Sequence, residues 1–192
     1  MNDEICVIVN GGSGTGNDAD VAERLRAAFE RHGRNPHIAL AHGGAEIAAA
    51  LDAALARRPG IVVAGGGDGT VSSIGAALVD TGIALGVLPL GTLNHFAKDL
   101  GVPLDLDAAV ERIAAGQPLR VDVGEVNGRV FINNSSLGLY PDIVRDRERQ
   151  QKRLGRGKWP AFAWAALAVL RRYAFMRVRL TVDGTERVRR TP

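Results

Sequence analysis

The chain has one cysteine, Cys6, so no disulfide within it can form, and a fold stapled by cystines is excluded. The reducing cytosol is the compartment that fits. Cys6 lies in the apolar run Ile5-Cys-Val-Ile-Val9, where a buried structural thiol is expected rather than a reactive one. Long hydrophobic runs are also lacking. The apolar stretch at 159–170 would reach about 18 Å as a helix, against roughly 30 Å of bilayer core, so it cannot span. The acidic start Met1-Asn2-Asp3-Glu4 leads into a run too short for the core of a signal peptide, which argues against secretion. Internal repeats and low-complexity tracts are absent. There is little excess of one charge, with 24 Lys and Arg against 21 Asp and Glu. The bases are nevertheless concentrated at 145–158, an asymmetry that needs a cause.

What is present suits a packed core. At 192 residues and 46% hydrophobic content, the chain suffices for one domain, or one domain and part of another. Short β-branched runs alternate with helical periodicity. Strands are predicted at 5–9, 37–41, 61–64 and 83–88, and helices at about 18–32, 45–58, 71–80, 96–100 and 105–115. Within the first helix Val21, Leu25, Ala28 and Phe29 share a face, Asp18 or Asp20 can cap its start, and Gly33 ends it. Strands alternating with helices imply right-handed crossovers and a parallel sheet covered on both faces: a three-layer, Rossmann-like α/β domain.

The rhythm changes after the last of these helices. Asn127-Gly128 between candidate strands at 119–126, where Leu119, Val121 and Val123 alternate with polar residues, and 129–133 is a type I′ hairpin signal, and antiparallel structure is expected to continue through 176–182 and the Asp183-Gly184 turn. A boundary near 116–118 divides an α/β nucleotide-binding domain, 1–117, from a partial β-rich substrate domain, 118–192.

Three glycine-bearing loops, 10–16, 65–70 and 90–94, each follow a predicted parallel strand and precede a helix, so they share one edge of the sheet. Ligands bind outside the carboxyl ends of such strands, where glycine admits backbone N–H groups to a phosphate. A single loop of this kind is more readily a tight turn, whereas three on one edge point to anion binding. Neither the G-x-G-x-x-G dinucleotide pattern nor the P-loop pattern fits them.

Longer blocks do match a family. Gly-Gly-Gly-Asp-Gly-Thr at 65–70, Pro-Leu-Gly-Thr-Leu-Asn-His-Phe-Ala at 89–97 and Phe-Ile-Asn-Asn-Ser-Ser-Leu-Gly at 131–138 resemble, in order and spacing, the diacylglycerol kinase catalytic domain family. That family includes sphingosine kinases and bacterial lipid kinases, and the likeness runs from about residue 5 to about 182. It implies an ATP site between an α/β domain and a β-sandwich domain, with Mg²⁺ and a lipid hydroxyl as acceptor. The resemblance places Asn10, Ser13 and Gly14 in the first nucleotide loop, with Gly11 where proline is usual. It places Gly66, Gly67, Asp68, Gly69 and Thr70 in the diagnostic loop, and Gly91, Thr92 and Asn94 in the third. His95 stands where aspartate is frequent, and reads as a supporting or capping group.

Phosphoryl transfer needs positioning and charge neutralisation more than covalent help. A carboxylate among phosphate-binding glycines repels the nucleotide unless it works through Mg²⁺ or takes the proton of the attacking hydroxyl, and Asp68 is assigned one of those roles. Alone, it would equally well be a helix cap. The resemblance also implies a late acidic residue near the acceptor, and the chain ends before such a segment, so it is expected to be truncated there. The bases at 145–158 beside the apolar run at 159–170 suit transient contact with an anionic membrane face, or a solvated loop beside a core helix. Nucleic acid is ranked low, because aromatic interleaving is missing. An exposed sheet edge invites self-association as a homodimer. The alternatives to an ATP-dependent lipid kinase are an NAD kinase-like enzyme and a non-catalytic nucleotide- or lipid-binding protein.

Overall fold

A computed structural model of the chain describes residues 3–11, 18–134, 176–182 and 184–191. They belong to two compact units, residues 1–134 and 135–192. In the first, β1 (Ile5–Asn10), β2 (His37–Ala41), β3 (Ile61–Gly66) and β4 (Ala84–Pro89) form one parallel sheet in the order β2-β1-β3-β4. Helices α1 (Asp18–Glu30), α2 (Gly44–Ala56), α3 (Asp68–Leu78), α4 (His95–Asp99) and α5 (Leu106–Ala114) alternate with or follow these strands. A hairpin, β5 (Gly124–Val126) and β6 (Arg129–Phe131), closes the unit.

The strands are apolar on both faces because both faces are covered. Cys6, Ile8, Val62, Ala64 and Val87 pack with Ile47 and Leu51 of α2, Val71, Ile74 and Leu78 of α3, and Phe96 of α4. The alternate residues Ile5, Val7, Val9, Val63 and Leu88 pack with Leu25 and Phe29 of α1 and Val110 of α5. Each fully buried side chain of this size contributes about 1.5–3 kcal/mol, so two such layers set the register of every strand. The three-layer α/β architecture is thus the one expected. Cys6 sits within the first layer; burial raises its thiol pKa, the Glu4 carboxylate adds to that, and Arg57 opposes it.

Local signals account for the element ends. Gly33, at φ +70°, stops α1, with the Arg34 N–H on the Phe29 carbonyl at 3.0 Å. The Asp105 carboxylate caps α5, accepting from the Ala108 N–H at 3.0 Å. Asn127 and Gly128 both have positive φ, 50° and 75°, as a type I′ turn requires. Two boundaries differ from expectation. β3 continues through Gly65 and Gly66, which pair with Leu88 and Pro89, so these glycines end a strand rather than begin a loop. Of the run at 119–126 only Gly124–Val126 is a strand, because residues 118–123 find no ladder partner among the described residues; Leu119, Val121 and Val123 stay exposed there.

In the second unit, β7 (Met176–Val182) and β8 (Thr185–Thr191) form an antiparallel pair, with an Arg179–Glu186 ion pair at 3.1 Å. The basic run at 145–158 and the apolar run at 159–170 lie outside the described residues. Among the described residues no helix is long and apolar enough to cross a membrane.

Candidate nucleotide site

The strand order places the chain's change of direction between β1 and β3: β2 lies on one side of β1, and β3 and β4 on the other. In sheets of this kind the loops leaving the strands on either side of a switch point diverge, and ligands bind in the crevice between them. The register brings Asn10, Gly66 and Pro89 to that edge, with Val9 opposite Gly65 and Gly66 opposite Pro89. The loops after β3 and β4 are then fastened to each other by backbone contact. A Cβ built on Gly91 would lie 2.3 Å from the Gly67 Cα and 3.0 Å from the Gly67 nitrogen. Only glycine at 91 permits that approach.

Each loop is also fixed by side chains. Asn94 is buried and left-handed, at φ 52° and ψ 47°, a conformation that asparagine tolerates better than most residues. Its amide donates to the carbonyls of Pro89 at 3.1 Å and Gly91 at 2.7 Å, while its Oδ1 accepts from the Gly91 N–H at 3.0 Å. Both donors are therefore spent on the loop, so Asn94 shapes the third loop in place of reaching outward. Thr70 is likewise buried; its hydroxyl accepts from the Asn10 amide at 3.2 Å and ties the end of β1 to the first turn of α3. Gly66 is required beneath it, because a Cβ there would meet Thr70 Oγ1 at 2.8 Å.

Asp68 occupies the first turn of α3, whose N-cap is Gly67, but its carboxylate does not cap its own helix. It reaches the next one: Oδ1 accepts from the Phe96 N–H at 3.1 Å, and from the Asn133 side-chain amide at 3.2 Å. Burial pushes the carboxyl pKa up. The Phe96 and His95 amides, the Asn133 amide and the nearby His95 outweigh it and hold the group below its ordinary value. Asp68 is thus ionised and shared among three donors, which stabilise the charge without removing it. Asn133 was visible in the third sequence block without being singled out; only the fold shows that it touches Asp68.

Two features of this edge can accept a ligand. Nothing lies within 4 Å of a Cβ on Gly69, which is exposed in the first turn of α3. Glycine at such a helical position costs about 1 kcal/mol relative to alanine and no packing within the fold demands it. The Thr70 and Val71 amides bond the Gly67 carbonyl at 3.0 and 3.1 Å, which leaves the Asp68 and Gly69 N–H groups without an intrahelical acceptor beside this exposed glycine, an arrangement that suits a phosphate oxygen. The second feature is a hard oxygen donor, the Asp68 carboxylate. Among the described residues no group of three or more His, Cys, Asp or Glu forms a metal cage. A Mg²⁺ ion needs no such cage, since it is held by one or two carboxylates together with phosphates and water, and the residues present fit that use. Thr92, His95 and Lys98 are exposed near this edge. Ser13 and Gly14 lie outside the described residues, as do 135–138 of the third block.

A doubly wound parallel α/β unit, with a glycine-built ligand edge at its switch point, is the class that this fold and site define. Within that class, the sequence model of the diacylglycerol kinase catalytic domain matches residues 4–126. The chain belongs to the diacylglycerol kinase catalytic domain family. It is 39% identical over 105 residues to "Probable lipid kinase YegS-like" of Klebsiella pneumoniae (strain 342), covering 53% of this chain and 35% of the relative. To "Probable lipid kinase YegS" of Escherichia fergusonii it is 33% identical over 138 residues, covering 68% and 46%. The crystal structure of a diacylglycerol kinase from Bacillus anthracis str. Sterne superposes with a TM-score of 0.70 at 24% identity, covering 98% of this chain and 61% of the other, a likeness of fold. The chain thus spans about a third to a half of these two curated relatives.

Proposed function

We propose that this chain carries the nucleotide-binding part of an ATP-dependent lipid kinase that transfers the γ-phosphoryl group to a lipid hydroxyl of the diacylglycerol type. The observation that carries the reading is the backbone contact of Gly67 with Gly91 at the carboxyl edge beside the switch point, which sets the loops after β3 and β4 side by side at the start of α3. Family membership supports it.

In this reading the phosphates lie over Gly69 against the first amides of α3, and charge-assisted hydrogen bonds of about 1.5–3 kcal/mol each hold them without a P-loop lysine. Asn94 holds the third loop in shape, and Asn10 with Thr70 fixes the first turn of α3. Asp68 is the residue that holds Mg²⁺, which when bound supplies charge neutralisation on the phosphates. The lipid is met at an anionic membrane surface, with the basic run at 145–158 as the attracting segment.

The test is incubation of the purified chain with labelled ATP, Mg²⁺ and mixed hydroxyl lipids, with Asp68→Ala as the control. Labelled lipid that disappears in the variant is the expected outcome. Labelled NADP⁺ formed from NAD⁺ in a parallel reaction, with every lipid inert, would replace this reading with an NAD kinase. ATP binding without turnover on any acceptor would replace it with a binding protein.

A further inference from the structure

Asn133 follows β6 by two residues and is 65 positions from Asp68, yet its amide lies 3.2 Å from Asp68 Oδ1. The preceding residue anchors it. Ile132 joins the core layer of α2, α3 and α4, and its Cδ1 lies 3.3 Å from where a Cβ on Gly75 of α3 would stand. The orientation of the Asn133 amide follows from chemistry, because an ionised carboxylate only accepts, so the NH₂ must face it and the carbonyl must face elsewhere. That carbonyl oxygen is buried and has no hydrogen-bond partner among the described residues.

A side chain kept for packing would not be an amide. Leucine has almost the same shape and leaves no buried acceptor orphaned, and an orphaned acceptor carries the full cost of its lost hydration. A side chain kept to brace the chain through its oxygen would have a donor on that oxygen. What Asn133 does engage is the Asp68 carboxylate, and it does so on the same oxygen that the Phe96 N–H holds at 3.1 Å. Two donors from separate parts of the chain converging on one carboxylate oxygen fix the rotation of that carboxylate. The Phe96 and His95 amides approach from one turn of the chain; the Asn133 amide arrives from a separate part and adds a second direction.

We propose that Asn133 is a positioning residue of the phosphoryl-transfer site: it holds the Asp68 carboxylate in one orientation at the edge of α3, and its cost in fold stability is retained for that purpose. The inference rests on the lipid-kinase reading for its catalytic consequence, and on the contact geometry alone for the Asn133–Asp68 bond.

The experiment has two arms on the full chain. In the first, the side-chain amide signal of Asn133 is followed in a ¹⁵N spectrum of the wild type and of Asp68→Ala; the expected result is a displaced signal in the variant, and an unmoved one overturns the proposal. In the second, Asn133→Leu and Asn133→His are assayed for lipid phosphorylation and thermal unfolding. In the leucine variant the lost donor to Asp68 and the removed orphan acceptor offset each other, so it is expected to melt within a few degrees of the wild type, to lose about ten-fold to a hundred-fold in kcat, and to keep its KM for ATP within about two-fold. The histidine variant, which restores an N–H donor at the same reach, is expected to recover part of kcat. Full kcat in Asn133→Leu, or a loss matched by a fall in melting temperature, overturns the proposal while leaving the kinase reading intact. A wild-type chain inactive on every lipid sinks the kinase reading itself and the catalytic role of Asn133 with it.

Discussion

Gly91→Ala tests whether the two loops are built on contact between their backbones. The added methyl would stand 2.3 Å from the Gly67 Cα and 2.9 Å from Asn94 Oδ1, whereas carbon atoms rest at about 3.5–4.0 Å. Neither neighbour can swing away. One is backbone, and the other is the amide that makes three hydrogen bonds to the loop. Overpacking of this kind costs about 1–3 kcal/mol, and separating the loops sacrifices Asn94 bonds at about 1 kcal/mol each, so a loss of roughly 2–5 kcal/mol is expected. For a unit of this size that is a fall in melting temperature of about 5–15 °C, read by circular dichroism. The matched control is Gly67→Ala. Its Cβ would meet only the Gly91 Cα, at 3.6 Å, an ordinary contact, and Gly67 is extended at φ −83° and ψ 178°. That variant should lose only about 1 kcal/mol, the preference of an N-cap for glycine over alanine. Equal melting temperatures for the two variants would refute the contact, because the asymmetry follows from geometry and not from the chemistry of glycine.

Three other outcomes are expected. Asn94→Ala should destabilise by about 2–4 kcal/mol in urea, since it loses the loop hydrogen bonds and places alanine at φ 52°, while Asn94→Gly should recover only the backbone part. Asp68→Asn should be less stable than the wild type near neutrality, by about 1 kcal/mol. Because the folded-state pKa of Asp68 is lowered, its contribution is present above the ordinary carboxylate pKa and fades as pH falls through the lowered one; the two unfolding curves should therefore converge in acid, and a constant gap would contradict the assignment. Cys6, buried and with its pKa raised, should react with a thiol reagent at pH 8 no faster than the chain unfolds, and prompt labelling of the native protein would show that the first core layer is open.

The parallel sheet was legible in the sequence because its signals are local. Runs such as 5–9 and 61–64 are apolar at every position, which only a strand covered on both faces needs, and Asn127-Gly128 names its turn type by itself. The motif spacing also indicated which residues gather at the ligand edge. It did not show what they touch. Asp68 finds its donors 28 and 65 residues away, and Gly91 meets Gly67 across the whole α3 crossover, so neither contact leaves a trace in local periodicity. The alternation of Leu119, Val121 and Val123 misled for the opposite reason: period two reports a side-chain pattern, while a strand also requires a ladder partner.

The placement of Asp68 leads to a prediction about ATP binding. A carboxylate and a phosphate oxygen about 5 Å apart repel by about 3 kcal/mol at an effective dielectric of about 20. Hydrogen bonds from Phe96 and Asn133 stabilise the carboxylate against its burial but leave its charge in place. If the site is built for metal-free nucleotide, Asp68 is a defect. If it is built for the Mg²⁺ complex, the same charge is attractive once a divalent ion lies between. Asp68→Asn keeps an oxygen to accept from Phe96 and removes the charge, exchanging the other oxygen for an NH₂, so it separates the two cases. Titration calorimetry should show the variant binding ATP in EDTA about ten-fold or more tighter than the wild type, while its affinity for Mg·ATP falls. The Mg²⁺ dependence of binding would then change sign or vanish. Equal affinities for wild type and variant in both conditions would mean that the nucleotide does not approach this carboxylate, and would remove Asp68 from the site.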